Sequence, residues 1–239
     1  MNKEVLKREL YYNLMPSVNS NNGNRELTKK SLETEMPLEK KDKKLVKIAI
    51  AGDGGVGKTS LCQRAMGHIL DDYFSNYKIT IGVQFFTHNL KTVCGQNVVL
   101  SVWDLAGQPQ FHQIIDRFLR GCKGIILAYD SSLINSFFSL YNIWIPLIRA
   151  NCDEDIPILV VSTKNDLQDY RQVDPDIVKE FMEAKEEHSL NFIGYLETSA
   201  LSNINVRETF DTLCSNIIGN GIISNETEAK PKKRRYKRK

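Results

Sequence analysis

Eight residues, Gly52-Asp53-Gly54-Gly55-Val56-Gly57-Lys58-Thr59, follow directly on the apolar run Val46 to Ala51. The spacing fits G-x-x-x-x-G-K-[S/T], a pattern with physical meaning only where a strand turns into a helix. Glycines there let the backbone wrap a phosphate chain with its N–H groups pointing inward, at the positive end of the helix that follows. Lys58 would reach the β and γ phosphates, and the Thr59 hydroxyl would ligate Mg²⁺. A plain Gly-rich turn does not call for Lys-Thr at those positions. Gly52, Asp53, Gly54, Gly55, Val56, Gly57, Lys58, Thr59 and Ser60 are therefore the expected phosphate-binding residues, and a strand–loop–helix unit of this kind calls for an α/β domain.

The remaining pattern agrees. Strands are expected at Val46–Ala51, Val83–Leu90, Val98–Asp104, Gly124–Asp130, Ile158–Thr163 and Phe192–Glu197, with helices near 58–70, 134–150, 174–188 and 204–218. Runs such as Gly124-Ile125-Ile126-Leu127 lack polar alternation, as parallel strands covered on both faces do. The expectation is a doubly wound, mostly parallel six-stranded sheet with helices on both faces, its ligand beyond the carboxyl ends of the strands. Apolar residues at 41% and charged residues at 26% exclude a fully disordered, collagenous or membrane-spanning chain. Three parts are expected: a flexible extension over 1–44, a domain over 45–219 and a basic tail over 220–239. The extension could open with a short helix bringing Leu6, Leu10 and Leu14 to one face. The five cysteines, Cys62, Cys94, Cys122, Cys152 and Cys214, are widely spaced and unlike a disulfide framework or metal site. They are read as reduced, in an intracellular protein.

Base choice must be read elsewhere, because a phosphate loop serves adenine and guanine nucleotides alike. The expected strand ending at Thr163 runs into Thr163-Lys164-Asn165-Asp166. A carboxylate at Asp166 can accept hydrogen bonds from the ring N–H and the exocyclic amine of guanine, whereas adenine has no such donor pair. The stem of Lys164 can lie along the purine face. Alone, Lys-x-Asp at a strand end is a weak signal; its place after a phosphate loop makes it an argument for GTP and GDP.

Five motifs stand in order: the phosphate loop, Thr80-Ile81-Gly82, Asp104-Leu105-Ala106-Gly107-Gln108, Thr163-Lys164-Asn165-Asp166 and Thr198-Ser199-Ala200-Leu201. With them, residues 45 to 219 resemble the small GTPases of the Ras superfamily, and the Rab branch most closely. The resemblance implies a molecular switch that binds GTP or GDP with Mg²⁺, hydrolyses GTP, and acts in membrane traffic or signalling. It makes Thr80, in switch I, a second Mg²⁺ ligand that senses the γ-phosphate, and places Tyr73 near the base. Asp104 would hold Mg²⁺ through water, the Gly107 N–H would meet the γ-phosphate, and Gln108, in switch II, would orient the attacking water. Lys58, Thr80 and Gln108 form the implied catalytic set; Ser199, Ala200 and Leu201 would flank the guanine. The Rab likeness rests on Ile81-Gly82-Val83-Gln84-Phe85-Phe86 and Phe118-Leu119-Arg120-Gly121. It makes Phe85, Trp103 and Phe118 an effector surface, against the alternative that they only pack the switches onto the sheet. No arginine finger is identifiable, so a separate activating protein and an exchange factor are implied partners.

The departures carry expectations of their own. Thr163 stands where Ras and Rab proteins carry Asn, which predicts altered tethering to the phosphate loop. Pro109 stands where Rabs carry Glu; proline fixes φ and removes a donor, which puts switch II mobility in question. No lipid anchor is evident, since the last cysteine is Cys214 and residue 2 is Asn. Residues 230 to 239 instead carry eight bases and no acid, whereas 45 to 229 carry 14 bases against 22 acids. An acidic body argues against general nucleic-acid binding. The tail reads first as a contact for an anionic membrane surface, then as a nuclear or nucleic-acid segment, or simply as a solvated run. The expected location is cytoplasmic and peripheral at membranes, with the nucleus second. The rival to an enzyme is a non-catalytic module locked in one nucleotide state.

Overall fold

Alternate residues of the first strand explain the layering. Ile48 and Ile50 point to one face of the sheet and Ala49 and Ala51 to the other, all four fully buried, so both faces must be covered. The computed structural model describes residues 44–68, 79–92, 97–183, 190–219 and 222–223, all within the unit Lys41–Lys239. Its elements are β1 (Lys44–Ala51), α1 (Lys58–Ala65), β2 (Val83–Thr92), β3 (Asn97–Leu105), a 3₁₀ turn (Pro109–Phe111) and α2 (His112–Leu119). Then come β4 (Ile125–Asp130), α3 (Ile134–Ser139), a π-helical segment (Leu140–Trp144), α4 (Ile145–Asn151) and β5 (Pro157–Thr163). The chain continues through α5 (Pro175–Glu183), β6 (Asn191–Glu197), α6 (Val206–Ile218) and β7 (Ile222–Ile223).

The strand order is β6-β5-β4-β1-β3-β2-β7. Pairs from β6 through β3 are parallel, and β2 runs antiparallel to both its neighbours. On one face Ile115 and Leu119 of α2, Trp144 of the π segment, Ile148 of α4 and Val178 of α5 pack on Ala49, Leu127 and Val160. On the other, Leu61 of α1 and Val206, Phe210 and Leu213 of α6 pack on Ile48, Ile50, Ile126 and Val161. Helix α6 buries Val206, Thr209, Phe210, Leu213 and Cys214, the stripe that a 3.6-residue period brings to one face. It stops at Gly219, whose φ of 72° places it in the left-handed region that ends helices.

The expected mostly parallel sheet is present, with four corrections. A seventh strand of two residues extends it: Ile222 and Ile223 pair with Thr92 and Lys91, where the outer edge of β2 offers unpaired backbone groups. These residues were expected in the tail. Helix α2 was not anticipated: it is eight residues long with Ile115 and Leu119 its only buried residues, too short a stretch for its apolar spacing to stand out. The expected helix over 134–150 changes winding at Leu140, ahead of Pro146, which cannot donate into an α-helical ladder. The first helix ends at Ala65, short of 70, in a left-handed turn at Gly67.

Cys62, Cys122, Cys152 and Cys214 are unbonded, and burial raises every one of these thiols, to about 12 at Cys122, about 11 at Cys152 and about 12 at Cys214. Among the described residues no helix is long and apolar enough to cross a membrane. The expected helix around Leu6, Leu10 and Leu14, the residues Tyr73 and Cys94, positions 184–188 of the expected third helix and the run 230–239 lie outside the described residues.

Candidate nucleotide-binding site

The site forms where β1, β3, β4, β5 and β6 end, at the carboxyl edge of the parallel sheet. The loop after β1 begins at Gly52 and delivers Gly57 as the residue capping α1, with φ of 102°, a conformation that L side chains rarely adopt. Between them, Asp53, Gly54, Gly55 and Val56 form the arc, and Val56 is buried beneath it. Lys58 Nζ folds back over this arc and donates to Gly52 O at 2.6 Å and Asp53 O at 2.7 Å. Burial lowers its pKa to about 8, with Asp104, Asp53 and Cys62 pulling the other way. A polyphosphate is the kind of ligand that stabilises such an ammonium. Ser60, one turn into α1, is buried.

Three segments distant in sequence meet beside Lys58. The Thr59 hydroxyl donates to Asp104 Oδ2 at 2.5 Å and lies 2.9 Å from the Thr80 hydroxyl. Burial raises the Asp104 carboxyl, while its bonds from Thr59 and Thr80 and the Lys58 charge act against that. Asp104 Oδ1 is buried with no partner in the protein. Two hydroxyls and one carboxylate, with an unsatisfied oxygen among them, suit a hard divalent cation that completes its shell with phosphate oxygens and water, as Mg²⁺ does. Among the described residues no group of three or more His, Cys, Asp or Glu competes for a metal.

Switch II lies against the phosphate loop. A Cβ added at Gly107 would sit 2.1 Å from Asp53 C and 2.2 Å from Gly54 N, so no side chain fits there. Gln108 stands over Gly54, whose added Cβ would be 3.4 Å from Gln108 Cγ. Its Oε1 is buried without a protein partner. Pro109 occupies the first position of the 3₁₀ turn, where a backbone N–H has no intrahelical partner to lose.

The end of the site where the base is expected is made by two loops. Lys164, at φ of 56°, extends its Nζ to Asp130 Oδ2 at 2.6 Å, which lays its stem across the rim. Asp166 Oδ1 accepts from the Ser199 hydroxyl at 2.5 Å, and Ala200 follows at once. Leu201 is exposed at the edge. The expected change in tethering at Thr163 takes a specific form: its hydroxyl lies within hydrogen-bond reach of Val56 O and of Tyr129 O, the latter at 2.9 Å. A shorter side chain thus still reaches the phosphate loop. Three contributors escaped the motifs. Asp130 holds Lys164; Arg171 joins Asn165 Oδ1 to Glu197 Oε1, tying the two base loops; Trp144 reaches Asp53. Asp130 had a signal, a charge closing an apolar strand. Arg171 and Trp144 had none, because neither belongs to a motif and Glu197 and Asp53 lie 26 and 91 residues away.

Next to switch II, the Phe85 and Trp103 ring centroids are 4.5 Å apart and those of Trp103 and Phe118 5.7 Å apart. Lys47 Nζ lies 3.8 Å from the Trp103 ring centroid. Trp103 and Phe118 pack partly against the core while Phe85 is 56% exposed, so the trio runs from the core to an exposed apolar ring.

Comparison with known proteins agrees with this geometry. The model of the Ras family matches residues 47–219. The chain is 38% identical over 173 residues to Ras-related protein Rab-11A of Dictyostelium discoideum, covering 72% of this chain and 76% of that one. It is 36% identical to Ras-related protein RabF1 of the same organism, covering 74% and 86%, and 38% identical to GTP-binding protein YPT1 of Saccharomyces cerevisiae, covering 72% and 79%. The chain belongs to the Ras family and is a small GTPase of its Rab branch.

Proposed function

We propose that this GTPase is a Mg²⁺-dependent switch whose hydrolytic centre is built from Lys58, Thr80 and Gln108. The observation that carries the reading is the meeting of Thr59, Thr80 and Asp104 beside Lys58, with one Asp104 oxygen left unsatisfied. Thr59, Thr80 and Asp104 would hold Mg²⁺, which supplies charge neutralisation for the β and γ phosphates when bound. The backbone from Gly52 to Gly57 cradles the phosphate chain, Lys58 binds its outer oxygens, and the Gly107 N–H meets the γ-phosphate. Gln108 orients water for in-line attack, so that catalysis is mainly positioning and charge stabilisation. Asp166 reads guanine, with Lys164, Ser199, Ala200 and Leu201 around it; Tyr73 is proposed near the base from the resemblance alone. Multiple-turnover phosphate release tests the reading: sustained release with GTP and not with ATP supports it, and a single stoichiometric burst would make the chain a nucleotide-locked module.

Phe85, Trp103 and Phe118 are proposed as the effector surface, engaged in the GTP state, with an exchange factor and an activating protein acting at the switches. The tail of 230–239 is proposed as an electrostatic contact with an anionic membrane, giving a peripheral protein. Its eight bases against an acidic body favour that division of labour.

A further inference from the structure

Asp53 is the second residue of the phosphate loop, and it is gripped from a helix that carries no motif. Trp144 is fully buried, and its indole Nε1–H donates to Asp53 Oδ1 at 2.8 Å. A donor facing a carboxylate makes the stronger kind of hydrogen bond. Trp144 ends the π-helical segment, where the Ile145 N–H reaches back five residues to Leu140 O. Pro146 explains the winding: it has no N–H, and its ring crowds the carbonyl four residues before it. Single π turns inside helices occur frequently at functional sites.

The other contacts of this pair point to the switches. The ring of His112, the first residue of α2, lies 5.5 Å from the Trp144 ring at an interplanar angle of 72°. The main-chain oxygen of Asp53 accepts from Lys58 Nζ, and Gly107 lies directly against the Asp53 backbone. One indole therefore touches the phosphate loop through its N–H and the start of the switch II helix through its ring.

We propose that Trp144 is a positioning residue of the nucleotide site: its N–H holds Asp53, and with it the arc of the phosphate loop, while its ring seats His112 at the head of α2. This rests on the nucleotide-site reading above. It predicts that Trp144 governs how long a bound nucleotide is retained, because a less firmly held arc grips the phosphates less.

The test uses the full chain loaded with a fluorescent GDP analogue and chased with excess GDP. Trp144→Phe keeps an aromatic ring and removes the donor, and Asp53→Ala removes the acceptor. Each is expected to speed release about tenfold, the change that loss of one charge-assisted hydrogen bond brings. The double substitution should add nothing to either alone, and Asp53→Asn, which keeps an acceptor oxygen, should recover most of the effect. In the ¹⁵N spectrum of the GDP-bound protein, the Trp144 indole N–H should resist hydrogen exchange in the wild type and in Asp53→Asn, and lose that protection in Asp53→Ala. Wild-type release from Trp144→Phe, or additive effects of the two substitutions, would overturn the proposal. So would equal acceleration by Ile148→Val, a core change in the adjoining helix, because it would reduce Trp144 to packing. A wild-type chain that retains no guanine nucleotide would instead bring down the site reading itself, and this proposal with it.

Discussion

At the scale of single residues, the site depends on oxygens with one designated partner. Asp166 shares one carboxylate oxygen with Ser199, and the proposed reading gives its second oxygen to the base. Asp166→Asn places an amide N–H₂ where guanine also presents donors, so GTP affinity should fall by about 2 kcal/mol or more, while xanthosine triphosphate, which offers a carbonyl there, should gain; competition binding with both nucleotides measures this. Gln108 lies against Gly54 with its Oε1 unsatisfied. Gln108→Leu keeps the bulk and loses the group proposed to orient water, so single-turnover hydrolysis should slow on the order of 10²-fold while GTP affinity holds. Equal rates would mean that Pro109 has already moved Gln108 out of that role. These residues were legible because each belongs to a short run whose spacing carries the chemistry. Arg171 was not: its worth lies in joining Asn165 to Glu197, a relation that only the folded chain creates.

At the scale of elements, helices are placed by what they bury. Phe210 of α6 is 1% exposed and lies in the core on the β1 face that carries Ile48 and Ile50. Phe210→Ala should cost about 3–5 kcal/mol, lowering the melting temperature by about 6–20 °C for a domain of this size, as thermal denaturation would record. Long periodic elements such as α6 and the buried parallel strands could be read in advance from their apolar spacing. Helix α2, the π segment and β7 could not. Eight residues are too few for an apolar spacing to stand out, a change of winding leaves the composition of a helix intact, and a two-residue strand exists only because the edge of β2 is there to pair with it.

At the scale of the whole molecule, charge separates an acidic body from a basic end. Each base near an anionic leaflet contributes about 1 kcal/mol, and an attraction of this kind weakens as salt shortens the screening length. The GTP-loaded protein should sediment with phosphatidylserine-containing vesicles at low ionic strength, leave them near about 0.5 M salt, and stop sedimenting once 230–239 are deleted; binding that survives either change would sink the electrostatic contact. The body itself shows how the information divides. Its sequence alone determined the class of fold, the phosphate loop, the preference for guanine and the family, because these follow from residues adjacent or regularly spaced along the chain. Only the tertiary structure decided that Thr163 still reaches Val56, that Arg171 joins Asn165 to Glu197, and that Trp144 holds Asp53. Those relations join residues far apart in the chain, and a hydrogen bond depends on distances of a few ångströms that parallel strands set when they align their carboxyl ends, not on any pattern a linear sequence can display.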